Sequence, residues 1–472
     1  MTNSTIYSTK HNNLYLYNMD LSLSMLIHPE LSNIHKKQTN KNPYYSKKYA
    51  YLKKQGFFME AKPIEFKNIL EDSAIKENIR RCESIVFETT DCCNLNCQYC
   101  SLGELYNFSK KEHKNIDTKY AINLLKYIFS KKNKNDKLTI GFFGGEPLMN
   151  AKFIKTIVEN AKLLNIEKKI DLDFSITTNA TLIDKHLTFL VKNNFKILIS
   201  LDGDEKAQSY RTFALNGNNS YSKVINNIDN IYKKYPEYFS KRVDFNSVLH
   251  NRNSIKEIHD FIYNRYNKKP FISPLNTDHI NIDKKYILEK MFHSAEKNKN
   301  DSEEIDYLHD QSESFNELKK FIRDLSVNFY LFNLLSLLYD KVNLIPTGTC
   351  SPFQRRIYLN TNHNLLPCEK VSYIHSLGNV NNNINIDISK ILEKYNFLYN
   401  HFKKICKQCY LGKNCHKCIL TMDNLDKLGT DDFSCVDFQD QKSFEKKLSR
   451  IFSFLEKYPN DFSKIINSLI IE

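Results

Sequence analysis

The chain of 472 residues has no tryptophan and only 11 glycines, whereas Lys, Asn, Ile and Tyr are abundant along its whole length. This uniform enrichment looks like a general compositional bias rather than a functional feature. The net charge of +14 is spread in the same way and forms no compact basic stripe. The charge therefore does not indicate a nucleic-acid partner, although a basic balance often does.

Long apolar segments are scarce as well. The first 20 residues are polar and lack the apolar core of a secretory signal. The most apolar stretch, residues 327–345, is interrupted by Asn, Asp and Lys, which favours a buried helix over a membrane span. We therefore expect a cytoplasmic protein without a membrane or nucleic-acid partner. With 41% hydrophobic residues, the chain can still bury a substantial core.

The twelve cysteines are the most informative feature of the composition, because in a cytoplasmic chain they indicate metal or redox-centre ligands rather than disulfides. None lies between Cys100 and Cys350, a gap that scattered core cysteines would not leave. The early group is Cys82, Cys92, Cys93, Cys97 and Cys100. The late group is Cys350, Cys368, Cys406, Cys409, Cys415, Cys418 and Cys435.

Within this gap, short β-rich runs alternate with amphipathic stretches of helix length. The predicted strands are residues 85–89, 138–143, 172–177, 197–201, 243–249 and 271–275. The predicted helices are residues 118–129, 151–164, 184–191, 221–232 and 254–266. This alternation predicts an α/β fold of parallel βαβ units with right-handed crossovers. Six such units form a partial, TIM-like (β/α)6 barrel, whose active site is expected at the carboxyl ends of the strands.

The rest of the chain divides around this barrel, which we assign to residues 83–280. Residues 1–82 lack its rhythm and are either a small partner- or peptide-binding module or a simple extension. Residues 281–345 are predicted as a linker of charged helices. Residues 346–440 form a small cysteine-rich domain, and residues 441–472 are predicted as an amphipathic helix that covers a core.

Directly after the first predicted strand, Cys93, Cys97 and Cys100 have the spacing Cys-x3-Cys-x2-Cys. Three thiolates from one short loop can hold a cubane iron–sulfur cluster and leave its fourth iron open for a ligand. The alternative is a zinc loop with Cys92 as the fourth ligand, although adjacent cysteines point in opposing directions. The spacing favours the cluster, which leaves Cys92 and Cys82 as small core residues.

This loop, with aromatic Tyr99 before its last cysteine, resembles that of the radical S-adenosylmethionine (SAM) superfamily. The resemblance implies that the open iron of a [4Fe–4S] cluster chelates SAM. One electron from the cluster then cleaves SAM, and the resulting 5′-deoxyadenosyl radical abstracts a hydrogen from the substrate. A donor such as flavodoxin or ferredoxin is implied.

Segments at the strand ends extend the resemblance to SAM binding. In Gly144-Gly145-Glu146-Pro147, the glycines allow close approach of a ligand, and the carboxylate can pair with its ammonium group. Arg211 stands where many relatives carry a carboxylate-binding arginine, the alternative being a solvated surface side chain. The implied contacts to SAM or the substrate cavity are Tyr99, Gly144, Gly145, Glu146, Pro147, Thr178, Asn179, Ser200, Arg211 and Leu249.

The late cysteines resemble the SPASM extension, which carries two auxiliary [4Fe–4S] clusters. The resemblance implies one cluster on Cys406, Cys409, Cys415 and Cys435 and another on Cys350, Cys368 and Cys418. The fourth position of the second cluster is then open, filled by another ligand type, or filled by a substrate thiolate. Two residues instead of three separate Cys415 from Cys418, and His363 replaces a usual glycine, so the loops depart from the pattern. A zinc ribbon is the alternative for the quartet.

Enzymes with this layout mostly modify peptides, so the resemblance implies an anaerobic maturase of a ribosomally made peptide that installs a crosslink or an oxidation. The nearest rival is an anaerobic sulfatase-maturating enzyme that forms formylglycine. A rival of another class is an iron–sulfur electron-transfer protein that has lost SAM cleavage.

Glu369, directly after Cys368, is the predicted catalytic base, since sulfatase-maturating relatives carry a carboxylate there. The alternative is a surface ion pair with Lys370 or Arg356.

Overall fold

The computed structural model describes residues 2–38, 42–66, 70–107, 112–292, 309–326 and 345–470. The described strands are β1 (Ser4–Ser8), β2 (Leu14–Asn18), β3 (Leu23–Leu26), β4 (Ser84–Thr90), β5 (Leu95–Cys97), β6 (Lys137–Gly144), β7 (Asp171–Thr178), β8 (Lys196–Ser200), β9 (Arg211–Phe213), β10 (Val243–Leu249), β11 (Phe271–Pro274), β12 (Ile357–Leu359), β13 (Asn364–Leu366), β14 (Gly378–Val380) and β15 (Ile384–Asn385).

Helices pack around these strands and at both ends of the chain. The described α-helices are α1 (Pro29–His35), α2 (Pro43–Lys54), α3 (Asp72–Arg81), α4 (Thr118–Lys131), α5 (Ala151–Lys168), α6 (Leu187–Lys192), α7 (Glu205–Gln208), α8 (Tyr221–Lys234), α9 (Pro236–Arg242), α10 (Ile255–Tyr266), α11 (Lys285–Phe292), α12 (Glu313–Phe321), α13 (Ile388–Cys406), α14 (Gln441–Lys457) and α15 (Asn460–Ile470).

The predicted partial barrel is confirmed. All six predicted strands form, and they lie parallel in the order β11-β10-β8-β7-β6-β4. Each connection carries a helix, as the alternating pattern predicts. The predicted helix at residues 184–191 differs slightly, since a 3₁₀ turn at Ile183–Lys185 precedes α6. Buried Ile, Leu, Val and Phe side chains of the strands and helices form one continuous core.

The cysteine-rich region extends the barrel sheet. Strand β12 pairs in parallel with β4, with Tyr358 opposite Val86, and β13, β14 and β15 follow antiparallel to give ten strands. Buried Glu88 of β4 strengthens this junction, because its carboxylate accepts hydrogen bonds from the Tyr373 hydroxyl (2.6 Å) and the Thr361 amide (2.9 Å). The barrel and the region after residue 345 therefore share one sheet.

The N-terminal residues form a separate antiparallel sheet in the order β1-β2-β3, next to α1 and α2. Its tyrosines pack on the C-terminal helices: the Tyr17 ring lies 5.6 Å from Phe444, and the Tyr7 ring lies 5.4 Å from Phe452. The C-terminal region covers a core as predicted, although it forms the two helices α14 and α15 instead of one.

Part of the predicted linker can be placed. Helices α11 and α12 lie within it, but residues 293–308 and 327–344 are outside the described residues, and with them most of the predicted buried helix at residues 327–345. Among the helices of the described ranges, none combines the length and the apolar character that a membrane crossing requires. The domain limits given above stay predictions.

Candidate active site and cysteine groups

The loop after β4 brings the three early cysteines to the carboxyl ends of the barrel strands. Its short strand β5 pairs antiparallel with β9, so that Cys97 lies directly opposite Arg211. The Cys93 sulfur accepts hydrogen bonds from the Leu95 amide (3.4 Å) and from the Asn179 side chain (3.8 Å). Burial raises the pKa of the Cys97 thiol to about 12, and the thiols of Cys93 and Cys100 contribute to this shift. The three thiols are therefore neighbours.

The Gly144-Gly145 pair lies directly against this loop. The Gly145 amide donates to the carbonyl of Thr90, and the Glu146 amide donates to the carbonyl of Cys92, both at 2.9 Å. A Cβ atom at Gly144 would lie 2.2 Å from the Thr90 oxygen, and one at Gly145 would lie 2.0 Å from the Cys92 oxygen. In this structure, the glycines are thus required for the approach of the loop backbone itself.

The Glu146 carboxylate points into the protein. It has no exposed surface and accepts hydrogen bonds from the Thr178 hydroxyl (2.7 Å) and from the amides of Asn179 (2.8 Å) and Leu148 (3.0 Å). Burial raises the pKa of Glu146 to about 7, against the effect of these three donors. Pro147 then begins a 3₁₀ turn, where its fixed φ and missing amide hydrogen cost nothing. These bonds connect the ends of β6 and β7 beneath the cysteine loop.

A buried ion pair lies on the other side of the loop. The Arg211 guanidinium donates two hydrogen bonds to the Asp202 carboxylate, at 2.8 and 3.0 Å, and its carbon lies 5.3 Å from the Tyr99 ring centre. The Tyr99 hydroxyl also donates to Asp202. Burial alone would raise the pKa of Asp202, but Arg211 and the buried His250 hold it well below its usual range. The interpretation of Arg211 as a surface side chain is therefore wrong.

The two remaining predicted contacts lie at the ends of two barrel strands. Ser200 ends β8, and Leu249 ends β10 within the main core. Both are at the expected edge of the barrel. Among the described residues, no hydrogen bond joins the Ser200 side chain to the cysteine loop. The Asp202–Arg211–Tyr99 network was not predicted from the sequence, although Tyr99 and Arg211 were each predicted as site residues.

The late cysteines fall into two sets of electrostatic neighbours. Burial raises the pKa of the Cys406 thiol to about 12, and the neighbouring thiols of Cys415, Cys409 and Cys435 add to this effect. Cys406 ends α13, and the amide of Cys409 donates to its carbonyl at 3.2 Å. These four cysteines are called the quartet below.

The second group consists of Cys350, Cys368 and Cys418, called the trio below. The segment before Cys350 runs against the segment before Cys418, because the Gly348 amide donates to the Lys417 carbonyl at 3.0 Å. A Cβ atom at Gly348 would lie 2.4 Å from the backbone of His416. Burial raises the pKa of Cys368 to about 11, with Cys418 among its charged neighbours.

All twelve cysteines are free thiols. Among the described residues, no three His, Cys, Asp or Glu side chains converge closely enough to hold a single metal ion. A cubane separates its cysteine sulfurs more widely than one zinc ion does, because each sulfur binds a different iron. The quartet supplies the four thiols that a fully ligated [4Fe–4S] cluster requires. The early loop supplies three, which would leave one iron of such a cluster without a protein ligand.

Glu369 follows the trio residue Cys368. Its carboxylate accepts a hydrogen bond from Arg356, and its side chain is mostly buried. This is one of the two ion pairs that the alternative interpretation named, although it is not at the open surface. The catalytic role of Glu369 stays a prediction.

Comparisons with known proteins agree with this geometry. Residues 87–262 match the radical SAM superfamily. The chain is 32% identical over 167 residues to the radical SAM cyclopropyl synthase TigE of Paramaledivibacter caminithermalis, which covers 33% of each chain. It is 30% identical over 184 residues to a cysteine-type anaerobic sulfatase-maturating enzyme of Clostridium novyi, which covers 38% of this chain and 46% of the relative. The chain thus matches less than half the length of these relatives.

Among solved structures, the fold is similar to that of anSMEcpe with bound AdoMet and the Kp18Cys peptide. The TM-score is 0.53 at 18% identity, and the alignment covers 81% of this chain and 99% of the other. This likeness concerns the fold. The family match over the barrel, with the cysteine loop at its expected edge, shows that residues 87–262 are a radical SAM domain.

Proposed function

We propose that this protein is a radical SAM/SPASM maturase that modifies a ribosomally made peptide by crosslinking or oxidation. The observation that carries the proposal is the shared sheet. Strand β4 leads to the cysteine loop at its carboxyl end, and β13, which runs back antiparallel to β12, leads to Cys368 at the opposite edge of the same sheet. A peptide side chain inside the barrel would lie between the radical source at one edge and an electron acceptor at the other.

The early loop is the proposed site of the SAM-binding cluster. Cys93, Cys97 and Cys100 would hold a [4Fe–4S] cluster, which supplies the electron for reductive cleavage of SAM when both are bound. The protein's own contribution is to hold the loop rigidly. Asn94 supports it, since its side chain donates to the Thr181 hydroxyl at 2.8 Å and accepts from Asn179 at 3.0 Å.

The quartet and the trio are the proposed sites of two auxiliary [4Fe–4S] clusters. Both groups contain thiols that are at least partly buried and whose pKa values burial raises. Metal binding displaces the protons of such thiols, and the metal then contributes to folding. We propose that the auxiliary clusters accept electrons from the peptide while it is being modified.

The N-terminal sheet is the proposed capture site for the peptide. Strand β3 is an edge strand, and its Leu23 and Leu26 side chains are exposed. An edge strand offers unpaired backbone groups to which an extended peptide can add as a further strand. The sheet is anchored to the C-terminal helices, where the Ser449 hydroxyl donates to the Ser8 carbonyl at 2.6 Å.

A second candidate function is formylglycine formation on a sulfatase. The similarity to the anaerobic sulfatase-maturating enzyme of C. novyi supports it, as does the position of Glu369 directly after Cys368. For either function, we propose a cytoplasmic enzyme that receives electrons from flavodoxin or ferredoxin under anaerobic conditions.

The test is product formation by the anaerobically reconstituted full chain with SAM and a chemical reductant. The probes are synthetic peptides encoded by short open reading frames next to its gene and a cysteine-containing sulfatase peptide. Mass spectrometry distinguishes loss of hydrogen, which indicates a crosslink, from an aldehyde, which indicates formylglycine. SAM cleavage with an aldehyde only on the sulfatase peptide would overturn the first candidate in favour of the second.

A double cysteine variant tests the auxiliary cluster that is proposed at the quartet. We expect Cys406→Ala/Cys409→Ala to lose about four of about twelve irons per chain and most product, while some SAM cleavage remains. The matched control is Cys82→Ala, since Cys82 is a buried thiol outside all three groups whose sulfur contacts the Ser84 carbonyl. Zinc in place of iron and sulfide in the purified chain would contradict the assignment.

A further inference from the structure

Two buried tyrosines lie on the middle of α13. Tyr395 and Tyr399 are four residues apart, so they share one face of the helix, and their ring centres are 6.0 Å apart. Neither residue has any exposed surface. Both hydroxyls are buried and lack a hydrogen-bond partner among the described residues.

The trio lies near these tyrosines, because Cys368 and Cys418 pack against the core cluster that contains both rings. Burial raises the pKa of Tyr395 well above its usual value, and Cys418, Cys350 and Cys368 are among the charged neighbours that add to this shift. Tyr399 is raised by burial too, with Cys418 and Cys350 as its charged neighbours. The two hydroxyls are therefore in the electrostatic range of the same three thiols.

Such hydroxyls are costly in an apolar core. A buried donor without a partner lowers the stability of the fold, and phenylalanine would fill the same space without this penalty. Two of them on one helix face indicate a hydrogen-bond acceptor at the trio that the described residues do not supply. The sulfurs of an anionic iron–sulfur cluster are such acceptors, and they would lie among the three thiols of the trio.

We propose that Tyr395 and Tyr399 donate O–H···S hydrogen bonds to the sulfurs of a cluster held by Cys350, Cys368 and Cys418, and that these bonds set its reduction potential. The inference rests on the auxiliary cluster in the proposed function. Hydrogen bonds to cluster sulfurs stabilise the reduced state, which carries the additional negative charge, and so raise the potential. The two tyrosines would thus make it easier for this cluster to accept an electron.

Helix α13 also connects the two late groups, because Cys406 of the quartet is its last residue. Tyr395 and Tyr399 lie two to three turns before this end. The same helix would thus adjust the potential of one auxiliary cluster and ligate the other.

The experiment is a redox titration of full-length variants, monitored by electron paramagnetic resonance. It uses the chain with Cys93, Cys97 and Cys100 replaced by Ala, so that only auxiliary clusters contribute to the signal. Tyr395→Phe and Tyr399→Phe should each move one midpoint potential to a more negative value, and the double variant should move it further. Iron and sulfide contents should not change.

Tyr7→Phe is the matched control, because it removes a buried tyrosine hydroxyl from the N-terminal sheet instead of from α13. It should leave both potentials unchanged. An unchanged potential in the double variant would overturn the proposal. Loss of iron in either single variant would overturn it as well, because the tyrosine would then be a phenolate ligand of the cluster and not a hydrogen-bond donor to it.

A last variant separates this inference from the proposed function. If Cys350→Ala/Cys368→Ala/Cys418→Ala keeps the full iron content of the chain, no cluster is present at the trio, and the proposed auxiliary site fails. If this variant loses iron but the tyrosine variants keep their potentials, only the inference about the tyrosines fails.

Discussion

Cys97 and Arg211 lie directly opposite each other across the small antiparallel sheet that β5 and β9 form. Arg211 is buried and holds the carboxylate of Asp202. Its positive charge acts against the rise in the pKa of Cys97 that burial causes. A buried cation is thus built into the cysteine loop, at the place where negatively charged thiolates are expected.

The first prediction concerns this ion pair. Arg211→Gln should destabilise the apoprotein by about 3–5 kcal/mol, because it leaves the Asp202 charge buried without its partner. The double variant Asp202→Asn/Arg211→Gln should recover much of that loss, since no uncompensated charge remains. Urea unfolding measured by circular dichroism tests both. A double variant as unstable as the single one would contradict the explanation.

An exposed ion pair provides the control. Arg265 makes two hydrogen bonds to Asp229, at 3.2 and 2.6 Å, but both side chains are partly exposed to solvent. Water screens such a pair, so Arg265→Gln should cost about 1 kcal/mol or less. The difference between the two arginines then measures the effect of burial.

The alternation of apolar strands and amphipathic helices was sufficient to predict the barrel. Residues 243–249 were predicted as a strand and form β10 with the same bounds. Strands such as β10 are predictable because buried and more exposed residues alternate along them, which leaves a period of two in the local sequence. Single motifs also placed the cysteine loop and Gly144-Gly145 at the correct edge.

The contacts between distant segments were not predictable in this way. Strands β5 and β9 have three residues each, too few to show a period, and their pairing depends on the surrounding fold. The same holds for β12, whose pairing with β4 joins two regions that the sequence analysis treated as separate domains. The inward direction of Glu146 is a matter of side-chain geometry, which a motif does not specify.

The second prediction is the loss of SAM cleavage. Replacing Cys93, Cys97 and Cys100 together with Ala should abolish 5′-deoxyadenosine formation under reducing, anaerobic conditions. Iron should fall from about twelve to about eight per chain, because the two late groups keep their clusters. Chromatography of the nucleoside and a colorimetric iron assay provide the measurements. Undiminished cleavage by this variant would rule out the early loop as the cluster site.

The third prediction concerns the pH dependence of stability that Glu146 causes. Its pKa is raised from 4.5 to about 7 in the folded protein, so the folded state binds a proton more tightly than the unfolded state does. Stability from this group is therefore present below pH 4.5 and declines as the pH rises to about 7. The loss amounts to about 3 kcal/mol, at about 1.4 kcal/mol per pKa unit.

Glu146→Gln removes this titration and serves as the reference. The stability difference between wild type and variant should shift in favour of the variant as the pH rises from about 4.5 to about 7. Urea unfolding of the apoproteins at several pH values measures it. A difference that does not change with pH would show that the carboxylate keeps an ordinary pKa in the folded state.

The fourth prediction concerns Glu369 as a base on the substrate. Once a hydrogen atom has been removed from the substrate, loss of a neighbouring O–H or S–H proton makes the second electron easier to remove. Glu369 lies next to Cys368, so a proton acceptor and a proposed electron acceptor are adjacent in the chain. Glu369→Gln should therefore keep its iron and its SAM cleavage but lose most product.

Arg356 separates this role from that of a structural ion pair, because the Glu369 carboxylate accepts a hydrogen bond from it. If the pair only supports the fold, Arg356→Gln and Glu369→Gln should lose product and thermal stability to the same extent. If Glu369 accepts the substrate proton, Glu369→Gln should lose far more product at comparable stability. The hypothesis fails if Glu369→Gln, assayed with the substrate peptide, forms product at the wild-type rate throughout the pH range.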